Sequence, residues 1–245
     1  KVIFIQSLQY LKVTNVRSES EFVSQFGDPM NKDAINVANK NIQFYKNLLN
    51  IDLLFSKYGL DDKYFKKGID EKMSLDHTTH SLFGASKASA DLLVQEYGRY
   101  FNLKTICFRG GCLTGENHTG AQLHGFLSFL VKTIVSDKKY SVFGYKGKQV
   151  RDNIHSLDVV SAFSAFINKP KIGGNVYNIG GGRENSCSIL EAIDLIEKIS
   201  NKKSKYKILS KNRIGDHKWW ISDNSKFKKD FPSWKIKITL KKSLE

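Results

Sequence analysis

The sequence is poor in cysteine and proline, and it contains no long hydrophobic run. Its three cysteines, Cys107, Cys112 and Cys187, match no zinc-ligand spacing, and so few cysteines favour a reducing compartment over a disulfide framework. No apolar stretch approaches the roughly 18 residues of a membrane-spanning helix, and residues 1–6 lack the pattern of a signal peptide. We therefore expect a cytoplasmic protein with no membrane partner and no metal centre, in which the cysteines are packing residues.

A glycine-rich loop is also missing near the start of the chain. Doubly wound nucleotide-binding folds open with a strand, a loop such as G-x-G-x-x-G, and a helix. Here the strand predicted over 2–5 continues into Gln6-Ser-Leu-Gln9, which contains no glycine. Without glycine, the backbone is unable to approach a pyrophosphate closely. We therefore expect the chain to bind a dinucleotide weakly or not at all.

Positive charge is present in excess. The formal net charge is +15, and residues 201–245 hold fourteen Lys/Arg against four Asp/Glu, a net of +10. Such a patch could attract a small anionic substrate, nucleic acid or a membrane surface. The alternative interpretation is an ordinary solvated surface of a lysine-rich protein. Trp219, Trp220 and Trp234 near it form no RNA-binding pattern. We therefore expect no nucleic-acid partner.

Apolar runs of strand length alternate with helical patterns, which predicts βαβ units and a parallel sheet. Strands are predicted over 2–5, 51–56, 105–108, 140–143, 153–155, 176–179 and 205–209, and helices over 33–49, 86–101, 123–135, 159–167 and 189–199. Asp158 is the predicted N-cap of the helix over 159–167. The predicted fold class is α/β, a partial Rossmann-like parallel sheet flanked by helices. We expect a smaller C-terminal substrate lobe, formed largely by 110–135, 145–155 and 183–245, interleaved with the sheet in a single unit.

The segment His80-Ser-Leu-Phe-Gly-Ala-Ser-Lys87 contains an altered catalytic pattern. A Tyr-x-x-x-Lys pair places both side chains on one helix face, where the lysine charge favours the phenolate form of the tyrosine. Here Phe83 stands at the tyrosine position, four residues before Lys87. Phenylalanine keeps the ring but lacks the hydroxyl that would transfer a proton.

Five ordered segments carry a family resemblance. They are Phe83-Gly-Ala-Ser-Lys87, Cys107-Phe-Arg-Gly-Gly-Cys112, Gly147-Lys-Gln-Val-Arg-Asp-Asn-Ile-His-Ser-Leu-Asp158, Val176-Tyr-Asn-Ile-Gly-Gly-Gly182 and Arg213-Ile-Gly-Asp216. Each alone is weak, but in this order they resemble the extended short-chain dehydrogenase/reductases, and among these the NAD-dependent epimerase/dehydratase family. The chain most resembles the branch that contains CDP-paratose 2-epimerase.

The resemblance implies a nucleotide-fold portion over 1–110 and a mostly substrate-binding portion over 111–245. Within the first portion, residues 2–5 resemble the fourth strand of the family and 51–56 the fifth, so the resemblance implies that the given residues lack the initial βα units. The implied cofactor is NAD, which would oxidise a sugar carbon transiently. The implied partners are a nucleotide sugar, with CDP as one candidate carrier, and a second copy of the chain in a homodimer.

The resemblance also implies roles for individual residues. Lys87 would bind the nicotinamide ribose and Arg151 the substrate diphosphate, which suits the two-pronged guanidinium. The full set comprises Lys87, Phe83, Ser56 and His80 as catalytic positions; Lys87, Phe83, Arg109 and Gly110 as cofactor-binding positions; and Cys112, Gln122, His124, Arg151, Arg213 and Asp216 as substrate-binding positions. Simpler alternatives stay open. Arg151 and Arg213 would instead form structural ion pairs with Asp152 or Asp216, and Cys112 would be a packed thiol.

Two functions follow from this sequence. The first is a nucleotide-sugar epimerase-like enzyme, in which His80 is the nearest titratable substitute for the missing phenol. The second is a non-catalytic relative that still binds the nucleotide sugar but has lost both the tyrosine and the glycine-rich NAD loop.

Overall fold

A computed structural model describes residues 3–7, 62–74, 81–118, 120–121, 125–211 and 216–245. Its strands are β1 (Ile3–Ser7), β2 (Lys104–Gly110), β3 (Cys112–Thr114), β4 (Lys139–Phe143), β5 (Val150–His155), β6 (Gly173–Ile179), β7 (Ser186–Ser188), β8 (Lys205–Leu209) and β9 (Trp219–Trp220). Its helices are α1 (Asp62–Lys67), α2 (Leu82–Tyr100), α3 (Phe126–Val135), α4 (Ser156–Asn168), α5 (Ile189–Ser200), α6 (Ser225–Asp230) and α7 (Leu240–Leu244). Two short 3₁₀ turns lie at Tyr145–Gly147 and Arg183–Asn185.

The first sheet contains three parallel strands in the order β1–β2–β6. Cys107 at the centre of β2 lies opposite Ile5 on one side and Val176 on the other. Every residue of β2 except the first is buried, as expected of a parallel strand that is covered on both faces. On one face, Cys107 and Val176 pack against Val94 of α2. The predicted α/β fold with a parallel sheet flanked by helices is therefore confirmed.

The opposite face of this sheet carries an aromatic core. Phe108 and Tyr177 contact the ring of Phe227 edge-on, with centroids 5.4 and 5.2 Å apart, a favourable geometry for aromatic pairs. Phe166 of α4 and Trp234 belong to the same buried cluster. The C-terminal residues thus cover the sheet from the side that α2 leaves open.

A second sheet is built around β5. The strands β3 and β9 pair with it in parallel, and β7 pairs with it in the antiparallel sense. Arg151 lies opposite Cys187 and Trp220, and Asn153 lies opposite Cys112. Because alternate residues of a strand share a face, these five side chains lie on the same face of the sheet.

The third sheet is a parallel pair, β4 and β8, that packs on α3 and α5. Leu130, Val142 and Ile193 lie in its buried core. The helix α5 begins with a capping box, in which the Ser188 hydroxyl accepts from the Glu191 N–H while the Glu191 carboxylate accepts from the Ser188 N–H. This reciprocal pair satisfies two helix-start donors.

Most predicted elements within the described ranges lie where the sequence patterns place them, with ends that differ by a few residues. The helix predicted over 86–101 begins earlier, at Leu82, because the Ser81 hydroxyl accepts from the Gly84 N–H at 3.1 Å. The helix over 33–49 and the strand over 51–56 fall outside the described residues.

The predicted N-cap at Asp158 is wrong. α4 begins three residues earlier, because the His155 ring accepts from the Leu157 N–H at 3.2 Å and caps the helix. The Asp158 carboxylate instead accepts from the backbone N–H groups of Lys237 and Ile238, each at 3.0 Å. It therefore ties the C-terminal segment to α4.

Within the described ranges, no helix is both long enough and apolar enough to cross a membrane. The same residues contain no cluster of three or more His, Cys, Asp or Glu side chains that could hold a metal ion.

Candidate functional site

The first and second sheets meet at the carboxyl ends of β2 and β6. A Cβ atom added to Gly111 would lie 2.7 Å from Asp152 Oδ1 and 3.1 Å from the Cα of Gly180. A side chain at either glycine would therefore push the sheets apart. Ligands of parallel α/β sheets bind at this carboxyl edge, so the junction brings β5 next to the edge where a ligand is expected.

Asp152 is the buried carboxylate at this junction. Its Oδ2 atom accepts from the Gly182 N–H at 3.1 Å and from the Ser222 N–H at 2.9 Å. Its Oδ1 atom is buried and accepts no hydrogen bond from the part of the chain that the structure describes. Burial raises the pKa of this carboxyl group, and the hydrogen bonds from Ser222 and Gly182 oppose that rise.

Arg151 projects from β5 on the other face of the same sheet. Its Nη2 atom donates to Asp216 Oδ1 at 2.9 Å and to the carbonyl of His217, and Nη1 donates to the Val150 carbonyl at 2.7 Å. The side chains of Arg151 and Asp216 are 11% and 19% exposed, so the pair lies at the edge of solvent. Of the two predicted partners, Asp216 forms the ion pair.

Two thiols lie on the face that Arg151 occupies. The Asn153 side-chain amide lies 3.5 Å from Cys187 Sγ and donates to the Arg151 carbonyl at 3.2 Å. Burial raises the pKa of Cys112 to about 12, against the opposing charge of Arg151, and burial raises the pKa of Cys187 as well. Both thiols are therefore un-ionised at neutral pH, which agrees with the packed-thiol alternative for Cys112.

His217 is a site residue that sequence reasoning missed. Its ring is buried and lies edge-on to Trp220, with centroids 5.1 Å apart. Burial, with a smaller effect of the Arg151 charge, holds its pKa well below 6.5. His217 is therefore neutral, and its carbonyl helps to hold Arg151. Its place directly after Asp216 in the sequence was the available signal.

Phe83 and Lys87 form a second group of predicted site residues. Both lie on α2, and the Lys87 ammonium nitrogen is 5.3 Å from the centroid of the Phe83 ring. This distance is within the range of a cation–π contact. Phe83 is half exposed. The lysine charge therefore sits over the ring where a phenol would supply the acid/base group.

Arg109 lies in a separate buried network. Its Nε and Nη2 atoms donate to the two oxygens of Asp91 at 2.9 and 3.3 Å, and Nη1 donates to the Glu71 carbonyl at 3.2 Å. Asp91 also accepts from the Gln95 side chain. Arg109 is 7% exposed and Asp91 fully buried. The Arg109 guanidinium, which the resemblance assigns to the cofactor, thus joins α2 to β2. Gly110, the other such position on this strand, is buried at the end of β2.

The structure brings together two groups of predicted site residues. Arg151, Asp216 and Cys112 lie around β5, and Phe83 and Lys87 lie on α2. The remaining predicted positions fall outside the described residues; they are Ser56, His80, Gln122, His124 and Arg213.

Comparisons with known proteins show the family to which the chain is similar. The sequence model of the NAD dependent epimerase/dehydratase family matches residues 56–180. CDP-paratose 2-epimerase from Salmonella typhi is 32% identical over 196 residues, which are 78% of this chain and 56% of that protein. A dTDP-glucose 4,6-dehydratase from Escherichia coli K12 is 31% identical over 129 residues, 52% of this chain and 34% of that protein. The chain thus spans about half the length, or less, of these relatives.

Two similar solved structures are of UDP-glucuronic acid 4-epimerase from Bacillus cereus. A Tyr-to-Phe variant in complex with NAD and UDP-4-deoxy-4-fluoro-glucuronic acid has a TM-score of 0.59 and 29% identity, covering 71% of this chain and 54% of that one. The complex with UDP-glucuronic acid and NAD has a TM-score of 0.60 and 25% identity, covering 84% and 67%.

Proposed function

Because the chain belongs to the NAD dependent epimerase/dehydratase family, we propose that it is a nucleotide-sugar epimerase-like protein. The observation that carries the proposal is the guanidinium of Arg151, held at the edge of solvent by Asp216. Its positive charge suits an anion, and its Nε atom and the second N–H of Nη1 donate to no residue of the described ranges, so they are the groups that would donate to phosphate oxygens. The similarity to CDP-paratose 2-epimerase supports a CDP-linked sugar as the substrate.

In this proposal Arg151 binds the diphosphate, and Asp216 with the His217 carbonyl fixes the direction of its guanidinium. The un-ionised thiol of Cys112 lines the same face without adding charge. Arg213 would approach the phosphates from the opposite side, as its family position implies. The chain thereby neutralises the diphosphate and orients the sugar toward the carboxyl edge of the first sheet.

The proposed cofactor is NAD, which would supply the hydride acceptor and donor for the sugar carbon. Lys87 is the described residue whose family position assigns it to the nicotinamide ribose. A glycine-rich segment, Gly180–Gly182, leads from β6 into the 3₁₀ turn at Arg183–Asn185, and β7 rather than an α-helix follows that turn.

Phe83 limits the chemistry that these residues support. General acid/base catalysis is typically worth about 10²–10⁴-fold in rate, and the ring beside Lys87 has no hydroxyl to transfer a proton. An active enzyme would need another base, for which His80 is the proposed candidate.

The second candidate function is a non-catalytic protein that binds nucleotide sugars, and the half-exposed Phe83 favours it. The Bacillus cereus epimerase binds both NAD and a substrate analogue as a Tyr-to-Phe variant. In that protein, loss of a tyrosine hydroxyl is therefore compatible with binding.

Calorimetry with CDP- and UDP-linked sugars tests the binding role shared by both functions. Arg151→Gln removes the guanidinium and should weaken binding about tenfold or more, the usual effect of losing a charge-assisted hydrogen bond. Arg99→Gln is the matched control, because Arg99 is an exposed arginine on α2. Equal affinity in wild type and Arg151→Gln would contradict the proposed diphosphate site.

We also propose a homodimer that uses α2. Leu92, Leu93, Tyr97 and Tyr100 are exposed on this helix, and exposed apolar patches mark interaction surfaces. Leu93→Lys should shift the chain toward monomer in sedimentation velocity. A monomeric wild type at all concentrations would contradict the dimer.

A further inference from the structure

The turn that joins β4 to β5 is built from residues in an uncommon backbone conformation. Gly144, Tyr145, Lys146 and Gly147 have φ values of +63°, +46°, +53° and +75°. Two glycines adopt this region easily, but Tyr145 and Lys146 do so rarely. Such residues persist only where the surrounding structure holds them, and they concentrate at ligand-binding segments.

Contacts on three sides hold this segment, which we term the basic turn (Gly144–Lys148). The Gly144 N–H donates to the Leu209 carbonyl of β8 at 3.0 Å. The Gln149 side chain donates to the Phe143 carbonyl at 3.1 Å. At Gly147, a Cβ atom would lie 2.9 Å from Leu190 of α5. The turn is therefore a fixed part of the third sheet.

The basic turn gathers positive charge. Lys146 and Lys148 lie within it, and the Lys218 ammonium is 5.4 Å from the centroid of the Tyr145 ring. Neither Lys146 nor Lys148 forms an ion pair with any residue of the described ranges. Lys148 is partly buried, and its burial and the nearby charge of Lys146 lower its pKa. Bringing an anion here would relieve this repulsion.

The cluster adjoins the strand that bears Arg151. The Val150 N–H, at the first residue of β5, donates to the Lys218 carbonyl at 2.9 Å. Lys218 and Lys148 thus flank the start of β5 from two chain segments. The diphosphate assigned to Arg151 and the basic turn therefore lie along the same strand.

From these observations we propose that the basic turn and Lys218 bind a phosphate group at a position distinct from the guanidinium of Arg151. Ammonium groups bind phosphate oxygens as compact charges, and two of the three lie on a turn that other contacts hold in place. The phosphate is either one of the two phosphates of the nucleotide whose other phosphate lies at Arg151, or a free anion. The proposal goes beyond nucleotide-sugar binding and stands if that function fails.

Phosphorus NMR and calorimetry on the whole chain test the site, with inorganic phosphate and CDP as probes. Wild type should bind inorganic phosphate saturably, and the double variant Lys146→Gln/Lys148→Gln should weaken that binding about tenfold. The control pair Lys228→Gln/Lys229→Gln removes the same charge from exposed positions of α6 and should change nothing. Thermal unfolding checks that each variant is folded.

The probes also identify the source of the phosphate. If CDP displaces phosphate and itself binds more weakly to the lysine pair variant, the group belongs to the nucleotide. If CDP and phosphate bind together, the site takes a free anion; both results support the site. The proposal is overturned if no saturable phosphate binding occurs, or if both lysine pairs weaken it equally. It is also overturned if Arg151→Gln abolishes phosphate binding that the lysine pair variant retains.

Discussion

The two groups of predicted site residues, the β5 side around Arg151 and the α2 side around Lys87, differ in the chemical groups that they carry. On the β5 side, Arg151 keeps its guanidinium at the edge of solvent, with Asp216 and the His217 carbonyl as partners. On the α2 side, Lys87 is present, but its neighbour one turn away is Phe83. In the proposed function, the group that would bind the nucleotide sugar and the position that would transfer a proton therefore lie on separate elements.

The largest expected effect is a loss of stability on the α2 side, where the buried ion pair between Arg109 and Asp91 joins α2 to β2. Asp91→Ala removes the partner of Arg109 and leaves a buried charge unpaired, which should cost about 3–5 kcal/mol of unfolding free energy. Chemical denaturation measures this loss. Glu96→Ala breaks the exposed pair with Arg99 on the same helix and should change stability by at most about 1 kcal/mol. Similar losses in both variants would show that the buried ion pair does not anchor α2.

On the β5 side, the stability of the fold should depend on pH through the buried carboxyl group of Asp152. Burial raises the folded-state pKa of Asp152 above 3.8, so the folded chain binds a proton more tightly than the unfolded chain. The stability contributed by this group is present below 3.8 and is lost as pH rises through the folded-state pKa. Asp152→Asn removes this titration. As pH rises from about 3.8, the melting temperature of Asp152→Asn should therefore increase relative to that of wild type.

The opposite trend in the relative melting temperature would mean that the hydrogen bonds from Ser222 and Gly182 outweigh burial. Ser164→Ala, at an exposed position of α4, is the control and should leave the pH profile of the melting temperature unchanged.

The smallest effect concerns the thiols. Because burial raises the pKa of Cys107 and of Cys112 to about 12, neither is ionised at neutral pH, and the thiolate is the reactive form. Mass spectrometry after iodoacetamide treatment should find them unlabelled in the folded chain and labelled after denaturation. Rapid labelling of Cys112 in the folded chain would contradict its description as a packed thiol.

Periodicity within the sequence predicted the long elements but not the short ones. β2 has 7 residues and α5 has 12, which is long enough for the spacing of apolar residues to show whether the segment is a strand or a helix. β3, β7 and β9 are three residues or fewer. A segment of that length has no measurable period, and its pairing depends on a partner distant in the chain.

Side-chain partners were the least predictable part of the site. Arg151 and Asp216 are 65 residues apart, and both belong to motifs that the sequence displays, but Asp152 was an equal candidate for the ion pair. Neighbouring residues of a strand point to opposite faces, which sends Asp152 to the sheet junction. The resemblance implied a cofactor contact for Arg109, and its ion pair with the buried carboxylate of Asp91 was not predicted.

The most direct test of the central claim is a paired measurement on wild type and Phe83→Tyr. Calorimetry gives the affinity for a CDP-linked sugar, and a turnover assay with added NAD gives the epimerase rate. If binding and catalysis depend on separate elements, wild type and Phe83→Tyr should bind the sugar with equal affinity. The turnover rate of Phe83→Tyr should be about 10²-fold or more above that of wild type, the usual size of an acid/base contribution. A wild type that is already fast and unchanged by Phe83→Tyr would contradict the claim and assign the base to another residue, such as His80.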